Sequence, residues 1–181
     1  MELLQAIHTR RSVRSFEDRE VPLDVIREIL EAGVRAPNGG NRQPWRFVVV
    51  RDRAKIQAFD PIAHQACVER APAVLVACAD PHDTWDRYDE NDQCWLLDTC
   101  AAIQNMLLAI HDRGMGAVWV ITFSKHTVRA LTGIPKHWQI VAIVPFGYPD
   151  GEAPISSRRP TSEVAFLDSP DGLVTLPDAA S

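Results

Sequence analysis

The stretch APNGGNRQPWRFVVV, residues 36–50, sets the architecture. Pro37 disfavours helical geometry at Ala36. An amphipathic segment enters from Pro22 with Val25, Ile26, Ile29 and Leu30 as its apolar stripe, which predicts a helix that must stop near Arg35. Residues 37–44 are dense in turn formers. They empty into Trp45–Val50, whose β-branched and aromatic content reads as a strand. A helix, a breaker-rich loop and a strand in immediate succession point to a layered α/β domain.

The neighbouring segments extend that pattern in both directions. Leu3, Leu4 and Ile7 mark one face of a first helix, read as running to about Arg11. Residues 54–59 form a plausible short helix. AVLVACA, residues 73–79, is a continuous apolar run between Pro72 and Pro81, and its length and valines favour a buried strand. Residues 82–92 are polar and acidic, with Trp85 and Tyr88 embedded, and read as a loop or a loose helix.

The longest helical signal follows, from about Cys94 to Arg113, apolar almost all round through Trp95, Leu96, Leu97, Cys100, Ala101, Ile103, Met106, Leu107 and Ile110. Such a helix is buried on more than one side, and one of those sides suits a second subunit. Gly114 ends it. Residues 117–121 read as a strand, Ser124 as the N-cap of a helix reaching Leu131 with Gly133 beyond its end, and QIVAIVPF, residues 139–146, as another buried strand. Residues 1–150 thus form one domain with four main strands, and 151–181 a C-terminal extension. Val164, Phe166, Leu167, Leu173, Val174 and Leu176 in that extension must cover something, and a neighbouring subunit is a candidate.

The formal net charge is −5 over 181 residues, a poor match for nucleic acid or an anionic membrane as partner. Cys67, Cys78, Cys94 and Cys100 show no CxxC spacing and read as structural thiols. The six His are scattered, so no metal site is expected. No signal-peptide pattern or bilayer-spanning run appears, which leads us to expect a cytoplasmic protein.

Positive charge is concentrated at Arg10-Arg11-Ser12-Val13-Arg14. If the first helix continues, Arg10 and Arg14 share a face and repel. Either an anion site for a phosphate monoester or a solvated basic helix end explains this. Arg158-Arg159 is a second basic pair. Asn38, Asn41 and Gln43 offer side-chain amides beside Gly39 and Gly40, which suits the edge of a planar heterocycle or simply a turn. Gly114-Met115-Gly116 is no dinucleotide fingerprint. No nucleophile with an evident base can be named, which leaves the chemistry to a cofactor.

Together these segments resemble the nitroreductase family. TRRSVRSF (residues 9–16) is similar to its N-terminal flavin-phosphate motif. APNGGNRQPWRFVVV is similar to its second signature, DTCAAIQNMLLAIHDRGMGAVWV (98–120) to its central helix and following strand, and FGYP (146–149) with SRRP (157–160) to its C-terminal end. The resemblance implies an α+β fold: a three-layer sandwich with a central mixed or antiparallel sheet flanked by helices. It also implies an intertwined homodimer whose C-terminal segments embrace the partner.

FMN is the implied cofactor, bound at the subunit interface. Arg10, Arg11, Ser12 and Arg14 would hold its phosphate or ribityl chain, joined by Arg158. Asn41 and Gln43 would lie near the ring or ribityl. Asn38 and Gly39 would approach from the other subunit, and backbone groups of Val118, Trp119, Val120 and Ile121 would line the ring edge. Ile121 stands where the family often has Gly, and Ser156 where some members have Lys. The implied activity is ping-pong electron transfer from NADH or NADPH to nitroaromatic, quinone or related small-molecule acceptors. Other flavin enzymes on this scaffold, such as a dehydrogenase or dehalogenase, and a non-catalytic FMN-binding protein are the alternatives.

Overall fold

The computed structural model describes residues 1–59, 66–85 and 93–170; Tyr88, Leu173, Val174 and Leu176 lie outside them. The strands are β1 (Trp45–Val50), β2 (Ala73–Ala79), β3 (Gly116–Ala117) and β4 (Gln139–Gly147). They form one sheet in the order β1-β2-β4-β3, and every pairing is antiparallel. The helices are α1 (Leu3–Thr9), α2 (Leu23–Gly33), α3 (Arg53–Ala58), α4 (Ala66–Arg70), α5 (Cys94–Asp112) and α6 (Lys125–Thr132).

The period-2 alternation of β2 divides the core into two layers. Val74, Val76 and Cys78 join Ile56, Phe59, Val68 and Val128 of the α3, α4 and α6 side. Ala73, Leu75 and Ala77 join Ile26, Ile29, Ile103, Met106 and Ile110 of α2 and α5. Both faces of the sheet are therefore covered, which gives an α+β three-layer sandwich. Burial of each large aliphatic side chain on α5 contributes about 1.5–3 kcal/mol. Asp52 caps α3 by accepting from Ala54 N and Lys55 N, and the Ser124 hydroxyl caps α6 by accepting from Thr127 N.

Two expectations are corrected. Helix α1 stops at Thr9 rather than near Arg11, and Arg10 is already extended (φ −58°, ψ 131°). From there the chain runs beside the sheet edge: Ser12 bridges Ala117 in parallel, and Val13 N–H donates to Ala117 C=O at 3.0 Å. This pairing replaces further helical hydrogen bonds, so Arg10 and Arg14 do not share a helix face. Gly116 permits the approach, since a Cβ there would lie 2.3 Å from Val13 Cγ2.

The strand expected over 117–121 is also interrupted. Ala117 pairs with Phe146 and Val120 with Ile143, in one continuous register. Between them Val118 N–H donates to Pro145 C=O at 3.3 Å, but Pro145 has no N–H to return the bond.

Part of the apolar surface is left bare within the single chain. In α1 only Ala6 is buried, whereas Leu3, Leu4 and Ile7 are exposed. Leu97 on α5 is 69% exposed, and Val164, Phe166 and Leu167 of the extension are exposed too. Among the described residues no helix is long and apolar enough to cross a membrane.

Candidate functional site

The structure brings the two basic segments from opposite ends of the chain together. Thr9, Arg10, Arg11 and Ser12 line one wall of a cleft of about 520 Å³, and Pro154, Ile155, Ser156 and Arg158 line the other. A second hollow of about 300 Å³ adjoins it, between Ser12–Ser15 and residues 150–154, and contains Arg14. Arg11 Nη1 donates to Ala153 C=O at 3.0 Å and ties the extension down. Arg158 donates to the carbonyls of Ser156 and Ser157, at 3.2 and 3.1 Å.

The guanidinium groups of Arg10 and Arg14 make no hydrogen bond or ion pair with a described residue. The positive field of Arg10 and Arg11 reaches α5. Burial pushes the His111 imidazole pKa down, and Arg10 and Arg11 push it further the same way. His111 Nε2 lies 2.8 Å from Thr9 Oγ1, whose proton goes to Gln5 C=O at 2.7 Å. His111 therefore donates, and its neutral form is the Nε2–H tautomer.

Beyond this cleft the sheet edge is open. Val118 and Val120 are buried and turn their backbone groups to β4. The alternate residues Trp119 and Ile121 face the other way, and their N–H groups make no hydrogen bond with a described residue. The Ile121 side chain is 70% exposed, so it stands at the surface and does not fill the core.

The amide loop lies elsewhere. Residues 38–43 sit at the N-terminal end of α5, whereas the arginine cleft sits at its C-terminal end. From Asp98 to His111 the helix rises about 20 Å. The loop is held in a left-handed conformation at Gly40, Asn41 and Gln43 (φ 55°, 55° and 53°). Much of its polar capacity is used internally. Asn38 Oδ1 accepts from Gln43 N–H at 2.9 Å, and Gln43 Nε2 donates to Asn41 Oδ1 at 3.3 Å. Arg46 donates to Gln43 C=O at 3.2 Å and pairs with Asp83. The Trp85 indole covers Gly40 so closely that a Cβ there would lie 1.7 Å from Cε3.

One participant has no counterpart in the sequence reading. Asp98, on α5, is only 8% exposed, and its carboxylate accepts the Gly39 N–H with both oxygens, at 3.2 and 3.3 Å. Burial raises its pKa, and the Gly39 hydrogen bond partly offsets that. The available signal was its isolation: Asp98 is the only charged residue between Cys94 and Ile110. The four cysteines are free, and burial pushes the Cys78 thiol up to about 12. No cluster of metal-ligating side chains occurs among the described residues.

With this geometry in place, comparison with known proteins fixes the class. The nitroreductase family's sequence profile matches residues 7–68 and 63–148, and the chain belongs to that family. A protein from Archaeoglobus fulgidus, assigned as an NADH dehydrogenase/NAD(P)H nitroreductase, is 37% identical over 156 residues, covering 83% of this chain and 87% of that protein. An NADH dehydrogenase from Thermus thermophilus is 35% identical, covering 87% of this chain and 91% of its own length. A crystal structure of a protein from Desulfovibrio desulfuricans, assigned as a nitroreductase and solved in complex with FMN, matches with a TM-score of 0.79 at 33% identity. That match covers 93% of this chain and 98% of that one.

Proposed function

We propose that this protein is an FMN-dependent oxidoreductase that uses NADH or NADPH to reduce nitroaromatic, quinone or related acceptors. The observation that carries the reading is the cleft where Arg10, Arg11 and Ser12 meet Arg158 in a protein of net charge −5. Guanidinium groups with no carboxylate partner among the described residues, set beside a hydroxyl, fit a phosphate monoester, which accepts several charge-assisted hydrogen bonds. Family membership and the FMN-bound relative support the same cofactor.

FMN, held by these residues, would supply the redox chemistry, ping-pong electron transfer between the nicotinamide donor and the acceptor. The chain's part is binding and orientation. Arg10, Arg11, Arg14 and Arg158 hold the phosphate, with Ser12 donating its hydroxyl. The N–H groups of Trp119 and Ile121, without a partner among the described residues, would face the ring edge, where donors stabilise added charge. The exposed Ile121 side chain narrows the opening and limits acceptor size.

The active form is a homodimer. Within one chain the amide loop and the arginine cleft are about 20 Å apart along α5. A two-fold axis places Asn38, Gly39, Asn41 and Gln43 of one subunit over the cleft of the other. The bare surface of Leu3, Leu4, Ile7 and Leu97 and the uncovered extension supply the apolar contact this requires.

Purified protein should be yellow and should release a chromophore that behaves as FMN. Anaerobic mixing with NADH or NADPH should bleach the flavin, and adding a quinone should restore it. Protein that takes up no FMN, or whose bound FMN neither nucleotide reduces, would overturn the reading.

A further inference from the structure

We propose that Asp98 is the positioning residue of the amide loop, holding residues 38–43 in the conformation that meets the cofactor; this rests on the FMN reading above. Three residues of the loop lie in the left-handed region, and two of them, Asn41 and Gln43, are not glycine. Such a backbone persists only where its surroundings over-determine it. Within the loop, Asn38 Oδ1 holds Gln43 N–H. From outside, Arg46 holds Gln43 C=O, the Trp85 indole lies on Gly40, and the Asp98 carboxylate holds Gly39 N–H. Asp98 is the anchor that ties the loop to the long helix.

The chemistry of the site argues against a purely structural role. Asp98 is nine-tenths buried, no basic side chain of a described residue pairs with it, and a single N–H shared between its two oxygens is its one hydrogen bond to a described residue. A carboxylate can accept about four hydrogen bonds. A buried carboxylate is an expensive way to hold one peptide group, and a well-packed apolar residue in its place is often neutral or stabilising. What an apolar residue cannot do is fix Gly39 N–H. The opposite end of the same helix fixes α1 at the arginine cleft, through His111 with Thr9 and Asp112 with the Met1 ammonium at 2.6 Å. Helix α5 thus holds one half-site at each end, and Asp98 sets the position of the amide half.

The test compares Asp98→Leu with Asp98→Asn in the full-length protein, by FMN titration of the apoprotein, visible circular dichroism of the bound flavin, and thermal unfolding. Asn keeps an acceptor oxygen for Gly39 N–H. Asp98→Leu should weaken FMN binding about tenfold or more and change the flavin dichroism, with the apoprotein Tm equal to or above wild type. Asp98→Asn should restore affinity to within about threefold, since it retains the acceptor.

Three results would overturn the inference: wild-type FMN affinity and dichroism in Asp98→Leu, parallel losses of Tm and affinity in that variant, or equal damage from Asn and Leu. Wild-type protein that binds no FMN would instead sink the underlying reading, so the two failures are separable.

Discussion

The two proposed half-sites are built in opposite ways. The arginine cleft leaves charge unsatisfied: the Arg10 and Arg14 guanidiniums have no partner among the described residues, and Arg10 and Arg11 help push the His111 pKa down. The amide loop uses most of its polar groups on itself and its anchors, and has little freedom left. One region stores electrostatic attraction and the other stores shape. A charged tail needs an unsatisfied partner, because its binding energy comes from supplying the missing charge. A planar heterocycle needs groups already in place, because ordering a loop at the moment of binding would cost affinity.

The largest expected effect breaks the cleft. Arg10→Ala removes a half-buried guanidinium that has no partner among the described residues, and should weaken FMN binding roughly ten- to hundredfold, read by titration of the apoprotein. Fold stability should change little, because no ion pair among the described residues is lost. Raising the salt concentration should weaken FMN binding to wild type, and should do so less in Arg10→Ala. Unchanged retention in Arg10→Ala would remove the contrast between the two regions.

A smaller effect breaks the loop. Gly40→Ala meets both a positive φ and the Trp85 ring, and should destabilise the fold by about 1–3 kcal/mol. Its signature should be the reverse of the arginine variant: a lower Tm, altered tryptophan fluorescence, and a phosphate site that still binds inorganic phosphate. Wild-type Tm and fluorescence would show that the loop is not closed over Gly40 as described.

Legibility in the sequence follows where the decisive interactions lie. The expected bounds of β1 and β2 were those observed, because each is an apolar run fenced by proline or turn residues and its signal is local. Helix α5 was legible for the same reason. The end of α1 was not, because Arg10 and Arg11 carry no helix breaker and the stop comes from Val13 bonding to a residue more than a hundred positions away. The break after β3 depends on Pro145 of a different strand and is visible only once the register is known. The basic segments and the amides were legible as chemical types, but their separation along α5 was not. Asp98 went unread because an isolated acid in an apolar helix states no partner until Gly39 is brought to it.

The smallest expected effect sharpens the comparison through pH. His111 has an ordinary value near 6.5 and is held below it in the folded protein, first by burial and then by Arg10 and Arg11. As pH falls through about 6.5, the unfolded chain takes up a proton that the folded chain resists. Stability therefore declines with falling pH, and this contribution levels off only below the folded value. His111→Gln should flatten that part of the Tm–pH profile of the apoprotein between about pH 7.5 and 5.5. Bound FMN would place phosphate charge beside Arg10 and Arg11 and cancel part of their repulsion. The holoprotein should then show a shallower slope than the apoprotein, and FMN binding at acid pH should be accompanied by proton uptake. Nothing comparable should follow from occupying the amide loop alone. A slope that is identical with and without FMN would mean that the phosphate does not sit where His111 can sense it.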